Sequence, residues 1–460
     1  MTQLTLYNTM IRRKEVFDSL EPGTVGLYTC GPTVYWYQHI GNLRSYIFAD
    51  ELKRVLVYNG YRVNHVMNVT DVGHLTSDAD TGEDKMEKAA KQEGRRAEDI
   101  ANHYWGVFKE DLAKLNILPP GTWCKATEHL HDQIELVRAL DEKGYTYRTS
   151  DGIYFDTSKL RDYGKLAQLK VDGLQAGFRT DMREKRNPTD FVLWKFSEEP
   201  GLRQQEWNSP WGLGFPGWHV ECSAMSSLYL GKQFDIHTGG EDHIAVHHTN
   251  EIAQSEAAFG VKPWVRFWLH GAFLTFKGEK ISKSTGGLYT ISELETSGFK
   301  PLDYRYLCLN AHYRKKLNFS LPALTYARNT YDRLKNIIRD LKSNTGKGTP
   351  KDYLAPFKEA INDDLNMPQA LAVLWEMLRD PEMDPQTKLT TVETMDRVFA
   401  LDLLEDEKME LTGEIEQLVQ QREQARKEKD FATADRIRDQ LKERGIILED
   451  TKDGVRWRKA

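Results

Sequence analysis

The chain has 460 residues, 40% apolar and 29% charged, which suits one large globular domain with one or two smaller ones. No apolar run approaches the ~18 residues that cross a bilayer, and residues 1–20 carry charges throughout with no apolar core of a leader peptide, so a cytoplasmic protein is expected. The formal net charge of −6 argues against indiscriminate coating of nucleic acid; any RNA contact must use local basic surface.

In chain order, residues 25–30 (Val-Gly-Leu-Tyr-Thr-Cys) read as a short buried strand that Gly31-Pro32 breaks. From Arg44 to Tyr58 the apolar residues Ile47, Phe48, Leu52, Val55 and Leu56 fall at helical spacing, and Asn59-Gly60 supplies a stop. Tyr61 to Val69 reads as a second strand, so the segment is the strand–helix–strand unit of a parallel, doubly wound sheet. The same grammar returns with a strand at Phe234–Thr238, a Gly239-Gly240 turn, a helix at His247–Ala258 and a strand within Trp264–Thr275. Between the halves, residues 120–215 fit neither pattern and carry turn signals such as Pro119-Pro120-Gly121, Asp151-Gly152 and Pro210-Trp211-Gly212. They are expected to form an inserted subdomain that splits the sheet.

After residue 318 the texture turns helical. Leu321–Leu341 is periodic, 342–350 is a linker, and helical segments continue to Leu404. Ile415–Arg444 reads as one long exposed helix, and the last 15 residues, with Ile446, Ile447, Val455 and Trp457, as a small hairpin. The expected divisions are 1–119 and 216–275 for the two halves of a Rossmann-like domain, 120–215 for the insert, 276–317 for a lysine-bearing loop and the segment after it, 318–404 for a helical bundle and 405–460 for a C-terminal module. The fold class is thus α/β, followed by an all-α region.

Two short stretches carry chemistry. His39-Ile40-Gly41-Asn42 stands where a helix begins, and a helix N-terminus offers unpaired N–H groups and a positive dipole end to a phosphate. Lys280-Ile281-Ser282-Lys283-Ser284, with Gly286-Gly287 behind it, makes a cationic loop able to follow charge building on a pyrophosphate. Taken singly, the first is also an ordinary helix start and the second an ordinary basic turn.

The four cysteines, Cys30, Cys124, Cys222 and Cys308, are too scattered for a disulfide framework. Each alone reads as a small buried apolar residue. His247 and Glu251, four apart on a predicted helix, share a face, whereas His248 is turned about 100° away. Cys30 sits at the carboxyl end of the first strand, where open α/β sheets place ligands, and Cys222 enters another helix. Two thiolates, an imidazole and a carboxylate suit zinc; without Cys30 and Cys222, His247 and Glu251 read as a polar helix face.

The two phosphate stretches, in this order on this frame, resemble the His-Ile-Gly-His and Lys-Met-Ser-Lys-Ser signatures of class I aminoacyl-tRNA synthetases, with Asn42 and Ile281 at the two departures. Tyr28-Thr29-Cys30-Gly31-Pro32-Thr33-Val34-Tyr35, Pro216-Gly217-Trp218-His219-Val220-Glu221-Cys222-Ser223-Ala224-Met225 and His247-His248-Thr249-Asn250-Glu251-Ile252-Ala253-Gln254-Ser255 resemble the zinc segments of cysteinyl-tRNA synthetases, Thr249 standing where a glutamate is usual. Asp363-Asp364-Leu365-Asn366-Met367-Pro368 and Lys429-Asp430-Phe431-Ala432-Thr433-Ala434-Asp435 resemble that family's tRNA-contacting helices, and Val455-Arg456-Trp457-Arg458-Lys459 pairs cations with an indole suited to RNA.

The resemblance implies an enzyme that joins cysteine to ATP as the adenylate and passes it to the 3′ end of tRNA(Cys), a cytoplasmic monomer with no membrane partner. It implies zinc on Cys30, Cys222, His247 and Glu251, and ATP with Mg²⁺ against Gly31, Thr33, His39, Gly41, Asn42, Lys280 and Lys283. His39, Asn42, Lys280 and Lys283 would stabilise the transition state, and Thr70, Trp218, His237 and Asp242 would line the cysteine pocket. Thr70-Asp71-Val72-Gly73-His74-Leu75 lacks the acidic run many relatives carry there; His74 and the acidic segment 78–84 add metal contacts or form a loop. Two other readings compete: a cysteine ligase acting on an amino sugar, which should lack the C-terminal region, and a non-catalytic zinc- and RNA-binding derivative, which should not need both phosphate motifs intact.

Overall fold

The computed structural model describes residues 3–73, 84–169, 184–276, 279–280, 289–343, 346, 348–349, 351–405, 413–443, 446–451 and 454–459. At its centre are five parallel strands: β1 (Thr24–Thr29), β2 (Arg62–Val69), β3 (Thr122–Lys125), β4 (Phe234–Gly240) and β5 (Val265–Gly271), in the spatial order β3-β2-β1-β4-β5. The order reverses between β1 and β4, so the crevice beyond the carboxyl ends of those two strands is where a doubly wound sheet binds its ligand. Val25, Leu27 and Tyr28 of β1 are all fully buried, as in a central strand covered on both faces.

Helix α1 (Ile40–Tyr58) follows β1 and buries Leu43, Ile47, Leu52, Val55 and Leu56. The apolar spacing places its start near Arg44, but it begins four residues earlier, because the His39 ring takes over the capping: its Nδ1 accepts from the Asn42 N–H at 3.2 Å. Helices α2 (Lys85–Glu93) and α3 (Ala97–Lys114) link β2 to β3. The strand β3 pairs with β2 in register, Met67 opposite Trp123; its four residues just after Pro119-Pro120 are too few to show a period, which is why the sequence pattern assigns them to the insert.

Between β3 and β4 lie α4 (Leu130–Glu142), a five-stranded antiparallel sheet and α5 (Trp218–Leu230). The sheet runs Thr146–Arg148, Gly152–Phe155, Phe191–Phe196, Gly212–Pro216 and Trp207–Ser209 in spatial order. Helix α6 (His247–Phe259) joins β4 to β5. Beyond β5, Leu274–Phe276 pairs with Glu279–Lys280 and with Leu317–Phe319.

The helical region holds Pro301–Leu309, Leu321–Lys342, Leu354–Asn362, Met367–Arg379 and Pro385–Phe399. Arg305 in the first of these is fully buried and donates to Asp50 (2.6 Å), the Leu115 carbonyl (2.9 Å) and the Phe399 carbonyl (2.8 Å), tying α1, the end of α3 and the bundle together. Met1–Leu404 forms one compact unit and Glu405–Ala460 another. In the second, the single helix expected over 415–444 is instead two, Gly413–Lys427 and Phe431–Glu443. Lys429 turns to φ 61° and Asp430 caps the second helix through the Thr433 N–H, so the local turn chemistry of Lys429-Asp430 overrides the helical composition on either side. The expected terminal hairpin is present, Ile446–Thr451 antiparallel to Gly454–Lys459. Among the described residues no helix is long and apolar enough to cross a membrane.

Candidate metal centre and nucleotide site

The end of β1, the first turns of α5 and α6, and the end of β4 converge at the switch point. Gly31 and Gly217 allow it. A side chain on Gly31 would set its Cβ 1.7 Å from the Asn68 carbonyl oxygen, and one on Gly217 would set it 2.1 Å from that of Val192. The chain therefore passes close to β2 just after Cys30, and close to the insert's sheet just before Trp218.

Cys30, Cys222, His247 and Glu251 each bring one ligand atom to a common point, all within 4.8 Å of one another, and all four side chains are buried. Glu251 Oε1 lies 2.8 Å from His247 Nε2, yet this carboxylate oxygen is buried without an aligned hydrogen bond. The two groups form a buried ion pair within the cluster. The rest of the environment holds the ligands still. His219 Nδ1 and His247 Nδ1 are 2.9 Å apart, which leaves the Nε2 of His247 for an ion. His237 Nε2 is 2.8 Å from the other Glu251 oxygen. The Trp218 indole, half-buried, stacks on His247 at 4.1 Å and 26°.

A second, overlapping set of Cys30, His237, His248 and Glu251 also gathers its ligand atoms. In it His237 is hydrogen-bonded to Glu251 and His248 Nε2 to the Cys30 sulfur at 3.2 Å, and His248 Nδ1 reaches His270, whose own Nδ1 meets Thr9. These rings pack around the first set and touch two of its members, Glu251 and Cys30. The rotation of 100° between His247 and His248 does not separate them as the sequence implies, because both leave the first turn of α6 and approach the centre from two sides.

The charges within the cluster are set by its neighbours. Burial opposes charge on His247, but Glu251 and Cys222 outweigh it and push its pKa up to about 10. Burial likewise opposes Glu251, and His237 and His247 overcome it and hold the carboxylate far below its usual range. Burial pushes the Cys30 thiol well up, whereas the hydrogen bond from Cys30 lowers that of Cys222.

Thr70 at the end of β2 donates to Glu221 at 3.0 Å and is bridged to Thr33. Asp242 lies exposed in the turn after β4, close enough to Cys30 to raise its pKa. On the nucleotide side, Gly31 N–H donates to Asn68 at 2.8 Å, and Gly41 and the exposed Asn42 lie in the first turn of α1. The Ile40 N–H donates to the carbonyl of Tyr289, six residues beyond Lys283 in the chain, at 2.8 Å. Lys280 is placed by its backbone only, opposite Thr275. Ile281, Lys283, His74 and most of the acidic segment 78–84 lie outside the described residues. Sequence patterns give no role to His219, His270 or Glu221; the one available signal is density, six of the chain's thirteen histidines falling within 219–270.

Sheet order, insert position and paired phosphate motifs define a class I aminoacyl-tRNA synthetase. The fold is that of the Mycobacterium tuberculosis methionyl-tRNA synthetase bound by methionyl-adenylate (TM-score 0.56, 15% identity, 82% of this chain and 90% of that one). It is also that of an Agrobacterium radiobacter LeuRS in a ternary complex (TM-score 0.58, 11% identity, 84% of each). Residues 16–329 match the family "tRNA synthetases class I (C) catalytic domain", 356–382 the DALR domain and 408–458 the "Cysteinyl-tRNA ligase anticodon binding domain". Along its length the chain is 50% identical to cysteine--tRNA ligase 1 of Burkholderia lata (98% of this chain, 96% of that one) and 42% identical to the cysteine--tRNA ligase of Treponema denticola (99% of each). The chain belongs to the cysteinyl-tRNA synthetase family. The match through 408–458 is what an amino-sugar ligase would lack, and the intact catalytic domain sets aside a non-catalytic derivative.

Proposed function

We propose that this chain activates cysteine with ATP, releasing pyrophosphate, and transfers it to the 3′ end of tRNA(Cys), as a cytoplasmic monomer. The observation that carries the reading is the gathering of Cys30, Cys222, His247 and Glu251 from four distant segments within 4.8 Å. This donor set of two sulfurs, an imidazole and a carboxylate, all buried, fits zinc. When bound, zinc supplies a thiophilic Lewis acid that favours a thiolate over a hydroxyl. An apolar pocket alone would separate cysteine from serine by only ~1–3 kcal/mol.

The chain's own groups would do the rest. Trp218, stacked on His247, covers the side-chain pocket, Asp242 pairs with the amino group, and Thr70 and His237 line the walls while holding Glu221 and Glu251. The N-terminus of α1, with His39 and Asn42, donates to the phosphate as the cysteine carboxylate attacks the α-phosphorus. Asn42 donates without carrying a proton charge, so it stabilises and does not act as an acid. Lys280 and Lys283 neutralise the departing pyrophosphate, Mg²⁺ accompanying ATP. Residues 120–215 would serve as a connective insert, with 318–404 and 405–460 contacting tRNA. Cysteine-dependent pyrophosphate exchange tests the assignment: it should proceed with cysteine and not measurably with serine, and no exchange with either would refute it.

A further inference from the structure

The loop between Cys30 and α1 carries Trp36 and Tyr37, 44% and 41% exposed, three and two residues before the His39 cap. Their exposure is not slack in the chain. Gln38 donates from Nε2 to the Thr33 carbonyl at 3.2 Å and closes the loop, and Val34 N–H and Thr70 N–H fasten its start to β2. The rings stand edge to face at 5.6 Å and 82°, and both rest on Tyr104 of α3, at 5.7 and 4.9 Å. Tyr104 is itself buried and fixed by its hydroxyl to Glu93, which also pairs with Arg95. Lone exposed apolar residues need no explanation. Among the described residues the other adjacent pair of exposed large apolar side chains, Leu228-Tyr229, lies at the far end of α5 from Trp218. Trp36 and Tyr37 instead lie in the loop that joins Cys30 to His39, beside the residues proposed to hold the adenylate.

Resting on the proposed function, we infer that Trp36 and Tyr37 form a stacking surface for the unpaired nucleotides of the tRNA 3′ end. Transfer requires the terminal ribose to reach the adenylate beside His39, and the nucleotides behind it must pass close by. Every base has a face for an indole or phenol, so rigid, half-exposed aromatics are the chemistry that grips a single strand. The pair takes no part in forming the adenylate.

The test is Trp36→Ala, with Trp36→Phe as the variant that keeps a ring. In Trp36→Ala, cysteine-dependent pyrophosphate exchange should change less than twofold. Binding of full-length tRNA(Cys) should weaken about tenfold, ~1.4 kcal/mol, and Trp36→Phe should restore most of it. Binding of a tRNA(Cys) shortened by its unpaired 3′ nucleotides should be the same for wild type and Trp36→Ala. Equal weakening toward both tRNAs, no weakening toward either, or a loss of exchange as large as the loss of binding would overturn the inference while leaving the wild-type assignment standing. Absence of exchange in the wild type would instead sink the assignment and this inference with it.

Discussion

At the scale of single residues, the centre shows how much depends on atoms outside the ligand set. His219 reaches no ligand position, yet its nitrogen 2.9 Å from His247 decides which face of that ring is free. His219→Ala should lower zinc affinity ~10–100-fold, read by competition with a chelating dye; an unchanged affinity would show that His247 needs no such support. Outside the site, Glu51 is 4% exposed, and burial raises its pKa from 4.5 to about 8, Arg305 and Arg44 offsetting only part of this. A carboxyl that binds its proton more tightly when folded costs stability as pH rises from the unfolded value toward the folded one. Below pH 4.5, Glu51→Gln and wild type should therefore differ little. By pH 8 the variant should gain up to a few kcal/mol relative to wild type, read by urea unfolding at both pH values; a gap that does not widen contradicts the burial argument. Cys30, Cys222, His247 and Glu251, which the structure gathers in one cluster, could be picked out in the sequence because they lie in recognisable segments. The histidines around it could not, since a lone histidine on a strand or helix carries no spacing signal until the β1–β4 register brings the pieces together.

Among elements, the βαβ units read cleanly because their apolar periods are long. One miss, β3, is a strand too short to show a period, and two others fall where a polar side chain overrides one. His39 caps α1 at Ile40, four residues before the start that the apolar spacing gives, and Lys429-Asp430 breaks a helix whose composition runs on. Arg305 joins three elements through one buried guanidinium. Arg305→Leu should destabilise by roughly 3 kcal/mol, the low end for a buried ion pair, because Arg54 still reaches Asp50 at 2.8 Å. Chemical denaturation measures this, and a cost under about 1 kcal/mol would mean that Arg54 suffices.

Over the whole molecule, a catalytic unit and a small C-terminal unit are separately compact. A chain ending at Leu404 should keep pyrophosphate exchange within a few-fold and lose at least tenfold in charging of tRNA(Cys). Loss of both alike would show that residues 405–460 serve the first reaction too. The doubly wound order could be anticipated from the repeated strand–helix–strand grammar, but the joining of β1 and β4 at the switch point, on which the metal centre depends, is visible only in three dimensions. The most direct test of that centre is the rate of cysteine-dependent pyrophosphate exchange measured against zinc occupancy as the metal is withdrawn and restored. The rate should follow occupancy in proportion, reach zero in zinc-free protein and return with one ion per chain. Full-rate exchange in protein stripped of zinc would contradict the account.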